Sequence, residues 1–222
     1  MYFSAATVAA FAASTAAYAI PAKRDSGISV TPHDKYSSSV GVLGCKIDTN
    51  RVAYWPSSVD CDKVCVKVSA NGRSVNLLKI DTSGGAYDIS YDAWNYLNTG
   101  EGAEENPTMG GGIPATYEDV DMSECEDLLK TDDKSLAFTA ANAMNFVSSC
   151  KSTDSWVGNN FSLFNIANSA CTLGEDERCE YPDLSKGNQP TCPHQLGIQT
   201  PMEGEAVQDI SYGTGKTVKA LQ

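Results

Sequence analysis

From Val40 to Val120, apolar and polar residues alternate in short runs, the pattern of strands that bury one face. Val64, Val66 and Val68 take every second position. Ala70-Asn71-Gly72-Arg73 then supplies an Asn-Gly hairpin turn, and Ser74 to Asp81 returns as the partner strand. The alternation slips at Leu77-Leu78, which predicts either a bulge or a strand buried on both faces. Ile89 to Leu97 predicts one short helix, with Ser90 placed to cap it and Ala93 and Leu97 on one face. After Gly110-Gly111-Gly112, Ile113 to Val120 returns to strand. Beyond Cys125 the pattern changes. Leu136 to Val147 carries apolar residues around most of a helix, and Trp156 to Ala167 reads as a second amphipathic segment. From Cys171 onward Pro and Gly punctuate the chain, so a loop-rich, stapled region is expected. Residues 20–39, ending in a Ser-rich stretch with Pro32, read as a propeptide and flexible lead-in.

The first nineteen residues set the compartment. An Ala-rich apolar run from Tyr2 to Tyr18 ends in Ala17-Tyr18-Ala19, the small-x-small pattern that signal peptidase accepts. A membrane anchor fits less well, because the run is barely long enough to span and is mostly Ala with Ser and Thr. Lys23-Arg24 follows in a proline-containing stretch and looks like a dibasic maturation site; two solvated charges are the alternative. Secretion in turn explains the eight cysteines, Cys45, Cys61, Cys65, Cys125, Cys150, Cys171, Cys179 and Cys192, which suit up to four disulfides. Their spacing does not choose among roughly a hundred pairings, and they lack the tight pairs and flanking histidines of a zinc site. No metal or cofactor is implied. Asn160-Phe161-Ser162 is a glycosylation sequon.

The net charge of −12 and pI near 4.5 argue against nucleic acid and anionic membrane surfaces as partners. Residues 101–133 hold eleven acids against Lys130 alone. Such a run is usually a solvated face, with contact to a cationic partner as the functional alternative.

An ordered set of segments carries the most specific signal. Gly44-Cys45 is followed by Val52-Ala53-Tyr54-Trp55-Pro56 and Cys61, then Cys65 to Val68 with the Asn-Gly turn. Leu78-Lys79-Ile80-Asp81, Gly84-Gly85, Asp88-Ile89-Ser90 and Gly112-Ile113-Pro114 complete it. This order resembles the double-psi β-barrel of barwin, expansin, kiwellin and RlpA proteins over roughly residues 40–122. The mature chain also resembles secreted CetA/CalA-type proteins of filamentous fungi, often labelled thaumatin-like and linked to conidial germination, the cell wall and adhesion. The resemblance implies a mainly β fold: a barrel domain over 40–122 with one short helix, then a disulfide-stapled helical and loop extension over 123–222 packed on it.

In glycan-cleaving relatives an acid stands at the place of Asp81. Inverting hydrolysis needs a second carboxylate about 6.5–9.5 Å away. Where such relatives carry that base after an aromatic pair, Tyr54-Trp55 is followed by Pro56, which accepts no proton. Asp48 or Asp60 could substitute from nearby loops, though nothing in the sequence places either across a groove. Neither His33 nor His194 falls within the expected barrel segment. Asp81 is therefore either a catalytic candidate or an anchor for the glycine-rich turn. Aromatic residues gather around the groove-forming segments, with Trp55 and Tyr87, then Tyr54, Asp81 and Asp88, as candidate sugar contacts; Trp94 is expected to pack inward. Three readings stay open: non-catalytic binding of wall polysaccharide such as chitin or β-glucan, an adhesin or effector that recognises a host surface protein, and a weak glycan-cleaving enzyme using Asp81.

Overall fold

The computed structural model describes residues 26–204 and 206–220. The leader and the Lys23-Arg24 pair lie outside the described residues.

Six strands close a barrel: β1 (Ser26–His33), β2 (Val52–Trp55), β3 (Cys65–Ala70), β4 (Arg73–Thr82), β5 (Tyr87–Ser90) and β6 (Ile113–Asp119), in the spatial order β1-β5-β2-β4-β3-β6. β1 runs parallel to β5 and β2 parallel to β4, while the remaining neighbours are antiparallel. Closure leaves this sheet without a free edge. The Asn71-Gly72 turn joins β3 to β4 with positive φ at both residues (51° and 74°), as a twist-matched two-residue hairpin requires.

The stretch expected to be a flexible lead-in is part of this barrel. β1 pairs with β6 from Ser26↔Tyr117 to Val30↔Ile113 and with β5 from Val30↔Tyr87 to His33↔Ser90. Its apolar positions Ile28 and Val30 alternate correctly, but both partners are distant in sequence. Residues 34–39 are also held: Tyr36 is buried, and its hydroxyl donates to the Val42 carbonyl.

Alternation assigns the two faces. Val30, Ala53, Val66, Val68, Leu77 and Ile89 form one cluster with Trp94 and Leu97 of helix α1 (Tyr91–Thr99). Val52, Tyr54, Leu78 and Ile80 point the other way, into a second cluster built with Leu136, Phe138, Val147, Val157 and Leu163. The Leu77-Leu78 slip is thus a strand buried on both faces. A register shift does occur nearby, between Ala53 and Tyr54 in the β2·β4 pairing.

Three helix expectations change. Ile89 to Leu97 divides into the end of β5 and α1, which begins at Tyr91. Ser90 precedes that helix without capping it, since its Oγ donates to the Asn50 carbonyl instead. Leu136 to Val147 opens as strand β7 (Leu136–Thr139), and helix α2 covers Met144–Ser152. Trp156 to Ala167 is the short helix α3 (Trp156–Asn159) followed by strand β8 (Phe161–Ile166). β7 and β8 pair in parallel and are buried almost throughout, and a continuous apolar run does not distinguish a buried strand from a buried helix. β9 (Gly174–Cys179) completes a three-stranded sheet, and β10 (Gln208–Ile210) with β11 (Thr217–Lys219) forms a C-terminal hairpin arm.

All eight cysteines are paired. Cys45–Cys171, Cys61–Cys150 and Cys65–Cys125 tie the first part of the chain to its later part, and Cys179–Cys192 closes a local loop.

Candidate functional site at the barrel mouth

The line of residues facing the barrel interior turns polar at one end. β4 continues from Val75 and Leu77 to Lys79, and β6 from Ala115 to Tyr117 and Asp119, at every second position; past the register shift that pairs Tyr54 with Asp81, Asp81 also reaches this end. β2 reaches the same end with Trp55, where Pro56 cannot extend the ladder. Trp55, the 57–60 loop, Lys63, Lys79, Asp81, Tyr117 and Asp119 line a cleft of about 260 Å³ there.

Two of the lining residues, Trp55 and Tyr117, are aromatic, and Tyr87 packs against both beside the cleft. The Trp55 ring meets Tyr87 edge-on at 5.1 Å and Tyr117 edge-on at 5.5 Å, and Tyr87 and Tyr117 lie 5.7 Å apart. Trp55 is only 5% exposed, whereas Tyr87 and Tyr117 are half-buried. Burial, followed by the nearby Tyr87, pushes the Tyr117 phenol above its ordinary value.

The carboxylates around these rings are already engaged. Asp81 is 8% exposed. Its Oδ1 accepts from the Ser39 and Thr82 amides at 2.9 and 2.7 Å, and its Oδ2 accepts from Ser37 Oγ at 2.5 Å. Asp81 therefore buckles the 37–39 segment to β4 rather than anchoring the glycine-rich turn. Asp119 accepts from Lys79 Nζ at 2.5 Å. Asp60 accepts from the Asp62 and Lys63 amides at 2.8 and 3.0 Å, and those two amides hold its carboxyl below the usual aspartate value. Asp60 and Asp81 line one cleft, a placement that no spacing in the sequence discloses. Three donors thus occupy most of the acceptor sites of the Asp81 carboxylate, and Oδ2 receives one of them, from the Ser37 hydroxyl.

Other candidates fall elsewhere. Tyr54 is on the opposite face of β2 from Trp55; it is buried, and its hydroxyl donates to the Lys35 carbonyl at 3.1 Å. Burial raises its phenol well above the ordinary value. Asp88 is one position beyond Tyr87 and so on the other face of β5, where Thr31 Oγ1 donates to it. Asp48 accepts from the Asn50 amide and lines a different cleft with Lys130 and Gln208. Trp94 is buried in the core. His33 does belong to the barrel, as the last residue of β1, but its ring lies 4.4 Å from Tyr54, away from the mouth. His194 pairs with Glu177 at 2.7 Å. Asn160 is exposed at the end of α3, with its amide donating to the Trp156 carbonyl. Among the described residues no cluster of three or more His, Cys, Asp or Glu is arranged to hold a metal ion.

Tyr117 is a site residue that the sequence reading does not single out, although its parity with the interior position Ala115 marks it. The acidic run 101–133 is spread over several elements. The loop after α1 folds back on that helix, where Asp92 Oδ1 accepts the Ala103 amide and Asn95 binds the Glu101, Gly102 and Asn106 carbonyls. The rest lies along β6, at a 3-10 helix over 122–128 with Asp121 as its N-cap, and in the turn beyond, where Asp133 pairs with Arg178.

The family model described as cerato-platanin matches residues 33–128. That span holds the mouth residues and five of the six barrel strands, but it is less than half of the chain. Among solved structures, cerato-platanin 3 from M. perniciosa is 14% identical with a TM-score of 0.34, covering 45% of this chain and 98% of its own. A Streptomyces papain inhibitor is 21% identical with a TM-score of 0.25, at the same coverages. No curated protein matches this sequence.

Proposed function

We propose that this chain is a secreted protein that holds polysaccharide at the barrel mouth without cutting it. The observation that carries the reading is the mouth itself: Trp55 and the half-buried Tyr117 line the cleft, Tyr87 packs against both, and the carboxylates and lysine around them are already hydrogen-bonded. Sugar rings present an apolar face to stack on aromatics and a rim of hydroxyls to meet polar groups. A cleft near 260 Å³ sits at the small end of ligand sites and suits an open contact with a chain rather than an enclosed small molecule.

Four disulfides fit an oxidising, extracellular setting. The cerato-platanin match supports a wall-facing role, since that family consists of secreted fungal proteins of cell-wall and elicitor type. Two parallel strand pairs in a closed six-stranded barrel are consistent with the double-psi topology. Chitin and β-glucan are the proposed ligands, and Asn160 the proposed glycan acceptor. A part in conidial germination or wall remodelling rests on the CetA/CalA resemblance alone.

The test is retention on insoluble chitin and β-glucan. Loss of one stacking ring, worth about 1 kcal/mol, lowers affinity roughly fivefold. Tyr87→Ala and Tyr117→Ala should each do so, and a reduced and alkylated sample should not bind. Retention unaffected by both substitutions would place the ligand elsewhere.

A further inference from the structure

Residues 34–39 join the mouth to the C-terminal arm. On the mouth side, Ser37 and Ser39 hold both oxygens of Asp81, and Ser38 Oγ donates to the Ile80 carbonyl at 2.8 Å. One residue earlier, the Tyr36 amide donates to Asp209 Oδ1 of β10 at 2.9 Å. The arm makes a second contact there, because the Tyr212 amide donates to Asp34 Oδ2 at 3.2 Å. The fit is close: a Cβ on Gly44 would come within 2.4 Å of Val207 and 2.8 Å of the Tyr36 ring.

Asp209 is an unusual choice for this contact. Its side chain is 4% exposed, and its one ion-pair partner among the described residues, Lys35, is 3.9 Å away and 61% exposed. His33, Asp34, Tyr54 and Asp92 line the same small cavity. Burying a carboxylate against so weak a counter-charge costs free energy that a neutral acceptor would avoid.

We propose that Asp209 is a positioning residue for the barrel mouth: by fixing the Tyr36 amide it sets the Ser37–Ser39 clamp, and through that clamp the orientation of Asp81. The proposal rests on the reading that the mouth is the binding site. It also gives the arm a role, since Asp209 lies beyond residues 33–128, the stretch that matches the cerato-platanin family. The arm then braces a site that the barrel alone leaves unsupported on one side.

The experiment uses the full chain with its disulfides intact and compares wild type, Asp209→Ala and Asp209→Asn. Two readouts are taken: hydrogen exchange at the Ser39 amide by NMR, with the Val66 and Leu77 amides of the barrel ladder as internal references, and retention on β-glucan and chitin particles. Asp209→Ala removes the acceptor, so Ser39 should exchange at least about tenfold faster while the ladder amides stay within about twofold, and retention should fall. Asp209→Asn keeps an acceptor oxygen and should restore both. Unchanged Ser39 protection in Asp209→Ala overturns the proposal, as does faster exchange at all three amides together or an Asn variant no better than Ala. Should Asp209→Ala fail to fold, Asp209→Asn against wild type decides: the proposal requires Ser39 protection in the Asn variant within about twofold of wild type, and faster exchange there overturns it. If wild type binds neither polysaccharide yet Ser39 responds as expected, the polysaccharide reading fails and the brace stands.

Discussion

Replacing Asp81 by alanine separates a structural buckle from a catalytic acid. Asp81 accepts three hydrogen bonds, two from backbone amides, at 2.5–2.9 Å in a site only 8% exposed. A hydrogen bond to a charged group contributes about 1.5–3 kcal/mol, but the side chain opens on a cleft where water can replace part of what is lost. Asp81→Ala should therefore cost about 3 kcal/mol. Asp81→Asn keeps one oxygen for the Ser39 and Thr82 amides, while the Ser37 hydroxyl can rotate to accept from the new amide, so its cost should stay below about 1 kcal/mol. At about 2–4 °C per kcal/mol for a domain of this size, the alanine variant should melt about 6–12 °C below wild type and the asparagine variant within about 4 °C. Thermal and urea unfolding with disulfides intact measure both. A carboxylate held for chemistry behaves in the opposite way, since removing it is commonly neutral or stabilising. An alanine variant within about 0.5 kcal/mol of wild type would refute the buckle.

Other outcomes follow from the same structure. Trp55→Ala, at a residue 5% exposed, should destabilise by about 3–5 kcal/mol, so its loss of binding is confounded by loss of fold, and Tyr117→Ala should cost less stability for a similar loss of retention. Burial raises the Asp209 carboxyl above the ordinary aspartate value; its contribution to stability is thus fullest below that ordinary value and is lost as pH rises through the raised one. The difference in urea midpoint between wild type and Asp209→Asn should shift in that direction with pH. Asp133 has the opposite sign, because the Arg178 guanidinium holds its carboxyl far below the usual range and its contribution disappears only in strong acid. That pair is half exposed, so its effect is small. Removing Cys45–Cys171, with a separation of 126 residues, should cost about 5 kcal/mol in the chain-entropy account, against about 3 kcal/mol for Cys179–Cys192, with a separation of 13, as read by urea unfolding of the paired Ala variants.

Local chemistry made part of this fold readable. The Asn71-Gly72 turn needs positive φ at two positions, and the alternating valines of β3 need one buried face; neither depends on distant residues. β1 was obscured because serine and proline content outweighed its Ile28 and Val30 alternation, and because its pairing with β5 and β6 spans dozens of residues. Leu136 to Thr139 does not show its strand in the sequence, since β7 lies within the core, where all four side chains are buried and no period remains to distinguish strand from helix. At the site, Trp55, Tyr87 and Asp81 could be picked out as residue types, but not their roles. Trp55 lines the cleft because β6 brings Tyr117 beside it, and Tyr54 is outside the site because adjacent strand residues face opposite ways. Asp60 reached the cleft through a loop whose path is fixed by the Cys61–Cys150 bridge and by the Asp62 and Lys63 amides.

One NMR sample tests the central claim most directly: labelled protein mixed with a soluble β-glucan or chitin oligosaccharide, with protein shifts and sugar anomeric signals recorded together over a day. The account predicts shifts at Trp55, Tyr87, Tyr117 and the 57–60 loop, with the reducing-end signals constant. Growing reducing-end signals, or shifts confined to another face of the molecule, would contradict it.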